Sequence, residues 1–346
     1  MSNSNPKSEL AVLGIDLAKN SFQLHGVDAS GQVVVKKKLS RNKLSPFIAQ
    51  LPRCVIGIEA CGGSNHWTRV FEKLGHTVHM IAPEFVKPYV KSNKNDAADA
   101  EAICEAVQRP SMRFVPAKSI EQQDIQSLHR IRSQAVARRT AQANQIRGLL
   151  TEYGIIIPQG ISYVRQQLPL ILEDADNQLT YLFRELLLGL YEEMTHLDQR
   201  IKALEIKLET LCAQNEDCQR LLSIPGVGLL SATALVAAIG DIGVFKSGRE
   251  LAAWLGLVPR QHSTGGKPTL LGISKRGDAY LRTLLIHGGR TVVRVATKHQ
   301  DRRNRWICKL EERRGKNITA VAVANKNART AWALLSKKTV YTVCAV

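Results

Sequence analysis

The sequence predicts an α/β domain at the N-terminus, followed by a helical middle region and a basic, mainly helical C-terminal region. Three observations predict this order. Short apolar segments separated by turns begin at Leu10, residues 120–147 contain neither glycine nor proline, and most of the excess positive charge lies beyond residue 260. The chain has 346 residues, of which 44% are hydrophobic, which is enough for two or three separate cores.

The N-terminal pattern is that of a three-stranded meander followed by a strand, a helix and another strand. The meander reads LAVLGIDLA, SFQLHGVD and GQVVVKKKL, and the later strands read RCVIGIEA and HTVHMIA. Between those two, SNHWTRVFEKLG keeps its apolar residues at helical spacing. A helix that begins at Asp96 completes this domain, which we place at residues 8–112.

The middle region, residues 119–215, predicts two long helices that form an antiparallel coiled coil. In the second helix the apolar residues recur in steps of three and four, as in an a/d seam: Leu187, Leu190, Met194, Leu197, Ile201, Leu204, Leu208 and Leu211. Such a seam packs against a helix of the same chain or against another subunit, and we expect a homo-oligomer.

The third region, residues 219–340, is helical and strongly basic. From Arg260 to Lys338 it has 19 Lys and Arg against 4 Asp and Glu. Its first segment, SIPGVGLLSATALVAAIG, resembles a helix-hairpin-helix element, in which Gly226 and Gly228 would present backbone amides to phosphates. The alternative is a tight turn inside a helical core. Arg290 and Arg294 continue the basic pattern and are predicted phosphate contacts.

Charge and composition narrow the class of protein. The formal net charge of +18 calls for a polyanionic partner, and nucleic acid is the first candidate. The longest apolar run, from Val227 to Ile239, is too short to span a bilayer, so no membrane role is expected. The N-terminus lacks the apolar segment of a signal peptide, which predicts a cytoplasmic protein with reduced cysteines. No Cys pair has zinc-site spacing.

Four acidic residues lie where a metal site would place them. Asp16 and Glu59 each end an apolar strand, where an unpaired buried carboxylate would be costly. Asp96 and Asp99 are three residues apart in a helix and share a face, although acids in a first helical turn also simply complement the helix dipole. Four carboxylates and no His or Cys at ligand spacing favour Mg²⁺ and phosphoryl-transfer chemistry.

A second candidate site is the glycine-rich turn Ser263-Thr264-Gly265-Gly266, which follows a predicted extended loop that contains Pro259. Ser and Gly are ordinary turn formers, but here the hydroxyl of Ser263 lies among cations that would hold a phosphate. His262 and Ser274 are weaker candidates, for proton transfer and for a cap or phosphate contact. The flanking cations are Arg260, Lys267, Lys275, Arg276 and Arg282.

These motifs together resemble the insertion sequence 110 family of transposases. GIDLAKNSF, IGIEACGGSNHW and KNDAADAEAI resemble its N-terminal domain, and the serine turn followed by ISKRGDAYLR is similar to its insertion sequence 1111 subgroup. The resemblance implies an RNase H-like (RuvC-like) fold, with the acidic tetrad of the family on Asp16, Glu59, Asp96 and Asp99.

The same resemblance implies a mechanism and partners. Ser263 would attack a DNA phosphate to give a phosphoserine link, although the sequence leaves Thr264 open as the reacting hydroxyl. The family also implies Mg²⁺, a structured guide RNA, and a dimer or tetramer in which the two halves of the site come from different subunits.

Two other functions stay open at this point. One is a metal-dependent nuclease of the junction-resolvase class, in which water is the nucleophile and the serine turn is structural. The other is a non-catalytic nucleic-acid-binding protein, in which the acids are helix caps and polar groups at the edge of the core.

Overall fold

The computed structural model describes residues 9–91, 96–265 and 267–342, with the side chain of Asp96 outside the described part. Within these ranges the chain forms two compact units that meet in sequence at Ser119 and Ile120. The residues after Ile120 cluster as one unit, so the division into regions 119–215 and 219–340 stays a prediction about function.

The N-terminal unit is built on one sheet of six described strands in the order β3-β2-β1-β4-β5-β6. The first three strands are antiparallel, β4 and β5 run parallel to β1, and β6 is a short antiparallel edge strand that the sequence did not predict. The bounds are β1 Leu10–Leu17, β2 Ser21–Asp28, β3 Val33–Ser40, β4 Val55–Glu59, β5 Thr77–Ile81 and β6 Phe114–Val115.

Helices cover both faces of this sheet. The predicted helices after β4 and at Asp96 are confirmed, whereas the two short helices α1 and α3 were not predicted. Each contains a proline, which obscures a helical pattern only a few residues long. The bounds are α1 Arg41–Ile48, α2 Ser64–Lys73, α3 Pro83–Val86, a 3-10 turn Lys87–Tyr89 and α4 Asp96–Val107.

The alternation of side chains along β1 and β4 divides the core into two layers. Leu13 and Ile15 point to the face covered by α1 and α2, where Phe22 and Phe71 are fully buried. Burial of each such side chain stabilises the fold by about 2 to 3 kcal/mol. The opposite face packs against α4 and has a smaller core that includes Ile103.

The C-terminal unit is mainly helical. A helix of 13 residues, α6, lies between the two long helices and was not predicted. The bounds are α5 Ile120–Thr151, α6 Ile161–Glu173, α7 Tyr181–Ala213, α8 Glu216–Leu222, α9 Leu229–Ile239, a 3-10 turn Ile242–Val244, α10 Gly248–Trp254, β7 Pro259–Thr264, β8 Lys267–Ile273, α11 Ala279–Val295, a 3-10 turn Ala296–Lys298, α12 Arg302–Arg314 and α13 Lys316–Lys337.

The long helices α5 and α7 pack on each other through the predicted seam. Leu187, Met194 and Leu208 are fully buried within the chain. Ion pairs between the helices flank this seam: Arg132 with Glu205, and Arg139 with Asp198 at 2.7 Å. The seam therefore packs within the chain, and Arg132 and Arg139 of α5 stabilise this packing through their ion pairs with α7.

Close helix packing characterises the last part of the chain. Gly289 of α11 is so near α13 that a Cβ there would lie 2.4 Å from the carbonyl oxygen of Ala320. Alanines line the buried side of α13, among them Ala324 and Ala328, because larger side chains would separate the two helices. Across the described part of the chain, no helix is both long and apolar enough to cross a membrane.

Candidate active site

Two acidic side chains lie next to each other at the ends of neighbouring strands. β1 and β4 are parallel, and their register pairs Gly14 with Gly57 and Ile15 with Ile58. Asp16 and Glu59 follow directly, so they occupy the next position on both strands. Since side chains alternate along a strand, both carboxylates lie on the face of the two glycines. Both residues are half-buried.

The glycines bring helix α4 onto this face. A Cβ on Gly14 would lie 2.3 Å from the carbonyl oxygen of Ala100, and a Cβ on Gly57 would lie 2.9 Å from the Cβ of Val107. Only residues without a side chain permit this contact. The repeated pattern glycine, isoleucine, acid in both strands is the signal that our sequence analysis missed, because we considered only the acids.

Helix α4 begins at Asp96 and places its first turn near the two strand-end acids. Burial, followed by the negative charges of Asp16 and Asp99, raises the pKa of Glu59. Glu59 is thus close enough to both Asp16 and Asp99 to be repelled by each of them. The side chain of the fourth, Asp96, lies outside the described residues, so its place in the site stays a prediction.

A cysteine adjoins the same acids. Partial burial of the thiol, then the charges of Glu59 and Asp16, raise the pKa of Cys61, and its Sγ lies 3.8 Å from the carbonyl oxygen of Leu17. From the sequence alone, Cys61 is predicted only to be reduced.

The donor set of this site is composed of carboxylate oxygens, which suit a hard divalent cation such as Mg²⁺. Burial first, and then the charges of Asp16 and Asp99, raise the pKa of Glu59, and a bound cation would oppose both effects. Among the described side chains, no group of three or more His, Cys, Asp or Glu residues already has the spacing of a metal site. The three acids therefore fit a cation by chemistry and charge, and Asp96 would have to complete the set.

The serine turn is the tip of a β-hairpin, where the sequence predicted an extended loop. Thr264 pairs with Lys267 across the two strands, and Gly265 adopts a φ of +57°, which favours glycine at this turn. Ser263 is exposed near this tip, opposite Pro268. The hairpin holds the hydroxyl away from the core, where a large substrate can reach it.

Gln261 is a neighbour of Ser263 that the sequence analysis missed. Its Nε2 donates a hydrogen bond of 2.7 Å to the Oγ of Ser263. This bond uses a lone pair of the hydroxyl and leaves its hydrogen available for transfer. His262 and Thr264 flank Ser263 in the strand and point to the opposite face of the hairpin, so proton transfer by His262 gains no support.

Comparison with known proteins identifies the family. Residues 13–155 match a DEDD-type transposase profile of IS110, and residues 218–304 match the profile of the IS116/IS110/IS902 transposase family. The chain is 51% identical over 333 residues to a probable family 20 transposase of Pseudomonas aeruginosa, which covers 96% of this chain and 98% of that protein. The chain belongs to the IS110/IS116/IS902 family of transposases.

Two further relatives are transposases named for their insertion sequences. The transposase for insertion sequence element IS1111A of Coxiella burnetii is 48% identical, over 96% of this chain and 92% of its own length. The transposase for IS1328 of Yersinia enterocolitica is 41% identical, over 96% of this chain and 98% of its own length. The predicted family is thus confirmed over nearly the whole sequence.

In this transposase the base of the serine hairpin is held by tight backbone packing. A Cβ on Gly256 would lie 2.0 Å from the carbonyl oxygen of Arg276, and the N–H of Lys275 donates to the carbonyl oxygen of Gly256. The side chains of Lys275 and Arg276 remain exposed. The Oγ of Ser274 accepts a weak hydrogen bond from the N–H of Arg276, which matches a local cap.

The other predicted phosphate contacts differ in their surroundings. Arg282 is half-buried and donates to the carbonyl oxygen of Leu255 at 3.3 Å, so it partly serves to hold the chain. Four others are exposed and stay predictions as contacts to DNA: Arg260, Lys267, Arg290 and Arg294.

The glycine turn between α8 and α9 has a packing role at one of its two positions. Gly226 has a φ of +88°, and a Cβ there would lie 2.6 Å from Cγ2 of Val292 and 2.8 Å from the carbonyl oxygen of Gly288. Gly228, by contrast, is exposed at the start of α9. The packing of Gly226 therefore fits the tight-turn interpretation. Of the two glycines, only Gly228 has an exposed backbone at the N-terminus of α9.

A buried histidine that the sequence analysis did not single out links three helices of the transposase. Thr233 donates its hydroxyl hydrogen to the carbonyl oxygen of Leu229, so it accepts from Nε2 of His129 at 3.0 Å. Nδ1 of His129 then accepts from the hydroxyl of Tyr280, also at 3.0 Å. This chain of bonds ties the start of α11, just after the serine hairpin, to α5 and α9.

The chain of bonds predicts an acid-sensitive fold. Burial, then the charge of Arg132, lowers the pKa of His129 to about 4, while an unfolded histidine titrates near 6.5. Below pH 6.5 the unfolded state binds the proton and the folded state does not, so the free energy of unfolding decreases as the pH is lowered. Between pH 7 and 5 we expect His129 to cost about 2 kcal/mol.

Melting curves at both pH values, for wild type and His129→Gln, check this expectation. The variant is expected to melt lower at pH 7 but to lose less of its stability on acidification. An equal loss in both proteins would contradict the assignment.

Proposed function

We propose that this transposase cuts and rejoins DNA with two elements, a Mg²⁺-binding carboxylate tetrad and a serine nucleophile. The observation that supports it most directly is the convergence of Asp16, Glu59 and Asp99 at the ends of two parallel strands and the first turn of a helix. Glu59, which Asp16 and Asp99 repel, would serve a bound cation better than it serves the fold. Asp96 is proposed as the fourth ligand.

The N-terminal unit is proposed to have an RNase H-like fold. Its sheet order, β3-β2-β1-β4-β5, with three antiparallel strands followed by two parallel ones, supports this proposal, as does a helix packed over the first strand. Asp16 and Glu59 lie near the carboxyl ends of β1 and β4, where we propose that the DNA binds.

The serine chemistry follows from the hairpin. The Oγ of Ser263 forms a bond to a DNA phosphorus, and one bond from that phosphorus to a sugar oxygen breaks. The hydroxyl hydrogen of Ser263 ends on the departing sugar oxygen. The DNA phosphate is then held as an ester of Ser263, and a later attack by a DNA hydroxyl can release it. A bound Mg²⁺ would supply stabilisation of the charge that develops on the phosphate oxygens.

Positive charge supports the proposed partners. Exposed cations near the serine, Arg260, Lys267 and Lys275 among them, would hold DNA by its phosphates. A structured guide RNA is proposed from the family resemblance, and the net charge of +18 is consistent with two nucleic-acid partners. Sequencing RNA that copurifies with the protein, compared with total RNA, tests this partner.

The proposed oligomer requires a surface other than the predicted seam, which is buried within the chain. The beginning of α7 exposes apolar residues, with Tyr181 at 84%, Leu182 at 64% and Leu186 at 57% exposure. We propose this segment as the contact with a second copy. Sedimentation of Leu182→Glu/Leu186→Glu is expected to show a smaller species than wild type, and an unchanged species would contradict it.

A trapping assay tests the function. Wild type, Ser263→Ala and Thr264→Ala are incubated with Mg²⁺, flanking RNA and labelled donor DNA, denatured and separated by size. We expect a covalent protein–DNA band in wild type and Thr264→Ala, and none in Ser263→Ala. Thr264 is the matched control because it is the neighbouring hydroxyl on the other face of the same hairpin.

The other outcomes separate the rival functions. Cleavage without a covalent band, equal in wild type and Ser263→Ala, would replace the proposal with a nuclease that uses water. A band lost only in Thr264→Ala would move the nucleophile by one residue.

A further inference from the structure

The outer strand β3 carries three consecutive lysines, whose side chains alternate between the two faces of the sheet. In the antiparallel register, Lys38 is opposite Gln23 and Lys36 is opposite His25. On the other side of β2, Gln23 is opposite Asp16. Directly paired residues share a face, so Lys36 and Lys38 lie on the face of Asp16.

Lys37 points to the opposite face. Its ammonium group lies 4.6 Å from the centre of the Phe47 ring, above helix α1. All three lysines are exposed on the outer strand of the sheet. The chain thus offers two lysines on the active-site face and, between them, a matched lysine on the other.

A cavity of about 700 Å³ lies on the active-site face, between strands β2 and β3 and helix α4. Lys36, Lys91 and Arg109 line it, together with His25. Lys91 forms ion pairs with Glu101, at 3.3 Å, and with Glu105, and Arg109 also pairs with Glu105 at 3.9 Å, so these two cations offset the charge of the two acids. Lys36 forms no ion pair with another described residue, and it adds a positive charge to the lining of the cavity.

His25 supplies an independent sign of a ligand. Its side chain is only 7% exposed, and within the described residues its Nδ1 has no hydrogen-bond partner. Buried polar nitrogens nearly always have one. Burial lowers the pKa of His25 and so favours the neutral ring, whose one N–H can donate a hydrogen bond to a phosphate oxygen or to a sugar hydroxyl.

We propose that Lys38, Lys36 and the His25 cavity form a binding track for the DNA backbone next to the phosphate that is cut. Lys38 lies in the same cross-strand row as Asp16, and Lys36 lies one row further, about 7 Å along the strand. A strand held at the acids would pass these lysines and place a nucleotide against His25. The direction of the track rests on the proposed function of the acids; the binding surface itself does not.

Salt-dependent binding tests the track. The full-length protein is titrated in EDTA against labelled single-stranded DNA, and the logarithm of Kd is plotted against the logarithm of salt concentration. Each phosphate contact contributes about 0.7 to the slope. Lys36→Ala/Lys38→Ala is expected to lower the slope by about 1.4, and Lys37→Ala is expected to leave it unchanged. His25→Ala is expected to weaken binding severalfold with an unchanged slope.

Several outcomes would overturn the track. Lysines on an exposed edge strand also discourage strand pairing between molecules, and in that case Lys36→Ala/Lys38→Ala and Lys37→Ala would both bind DNA like wild type. An effect seen with RNA of the same sequence but not with DNA would assign the surface to another strand. A His25→Ala variant that keeps wild-type affinity and a wild-type melting curve would remove the cavity from the track.

The test is independent of catalysis. Binding in EDTA requires no cut, so an Asp16→Asn variant that fails to abolish cleavage would count against the proposed function alone. Loss of the slope difference would count against the track alone.

Discussion

Asparagine in place of Asp16 is expected to lower DNA cleavage by about 100-fold to 1,000-fold or more, as loss of a group that stabilises developing charge does in other enzymes. Asp16 is the penultimate residue of the central strand β1 and lies beside Glu59, whose pKa is raised by burial first and then by the charge of Asp16. The amide keeps the shape of the side chain but removes the negative charge that would hold a cation.

Cleavage of donor DNA and calorimetric titration with Mn²⁺ measure the two consequences separately. We expect Asp16→Asn to lose both activity and cation affinity while it retains DNA binding. Glu72→Gln is the control, because Glu72 is exposed on α2 and belongs to the same unit of the chain. Wild-type cleavage by Asp16→Asn would remove the carboxylate site from the mechanism.

Alanine in place of Gly14 is expected to destabilise the N-terminal unit by about 2 kcal/mol or more, a typical cost of overpacking. The added Cβ would lie 2.3 Å from the carbonyl oxygen of Ala100 and 2.5 Å from the backbone nitrogen of Cys104. Both atoms belong to the backbone of α4, so the helix must move away from the sheet. Cleavage should fall as well, because α4 carries Asp96 and Asp99.

Gly62→Ala is the matched control for this change. Gly62 lies between β4 and α2, and a Cβ there would meet nothing within 4 Å. Thermal unfolding and cleavage are measured for both variants. If Gly14→Ala melted and cleaved like Gly62→Ala, the packing of α4 on the glycines would not be what positions its acids.

The strands of the first half were predictable because their pattern is local. Apolar segments of suitable length, ended by turn residues, predicted β1 to β5 at nearly their observed bounds. Local patterns failed where other forces decide. The short helix α1 contains Pro46, and α6 lies between two longer helices whose periodicity dominated that region. The sequence predicts a loop at the serine hairpin because the two strands are exposed and lack an alternating apolar face.

The candidate site divides in the same way. The acids could be found from sequence because an Asp or Glu at the end of an apolar strand is costly without a partner. Their partners could not be found by the same reasoning. Gln261 reaches Ser263 because residues 259–264 form a strand, in which alternate residues share a face, and the sequence did not predict that strand. The surroundings of His25, whose Nδ1 has no hydrogen-bond partner among the described residues, depend on which residues pair across strands.

By itself, the sequence determined the family, the acidic residue types, the reactive serine as a candidate and the excess of positive charge. These are properties of residue identity and spacing along the chain. Only the tertiary structure decided that Gly14 and Gly57 bring α4 onto the sheet, that the heptad seam is buried within the chain, and that Lys36, and not Lys37, lies on the face of Asp16. The physical reason is that packing and strand register join residues far apart in sequence, and local patterns do not encode those distances.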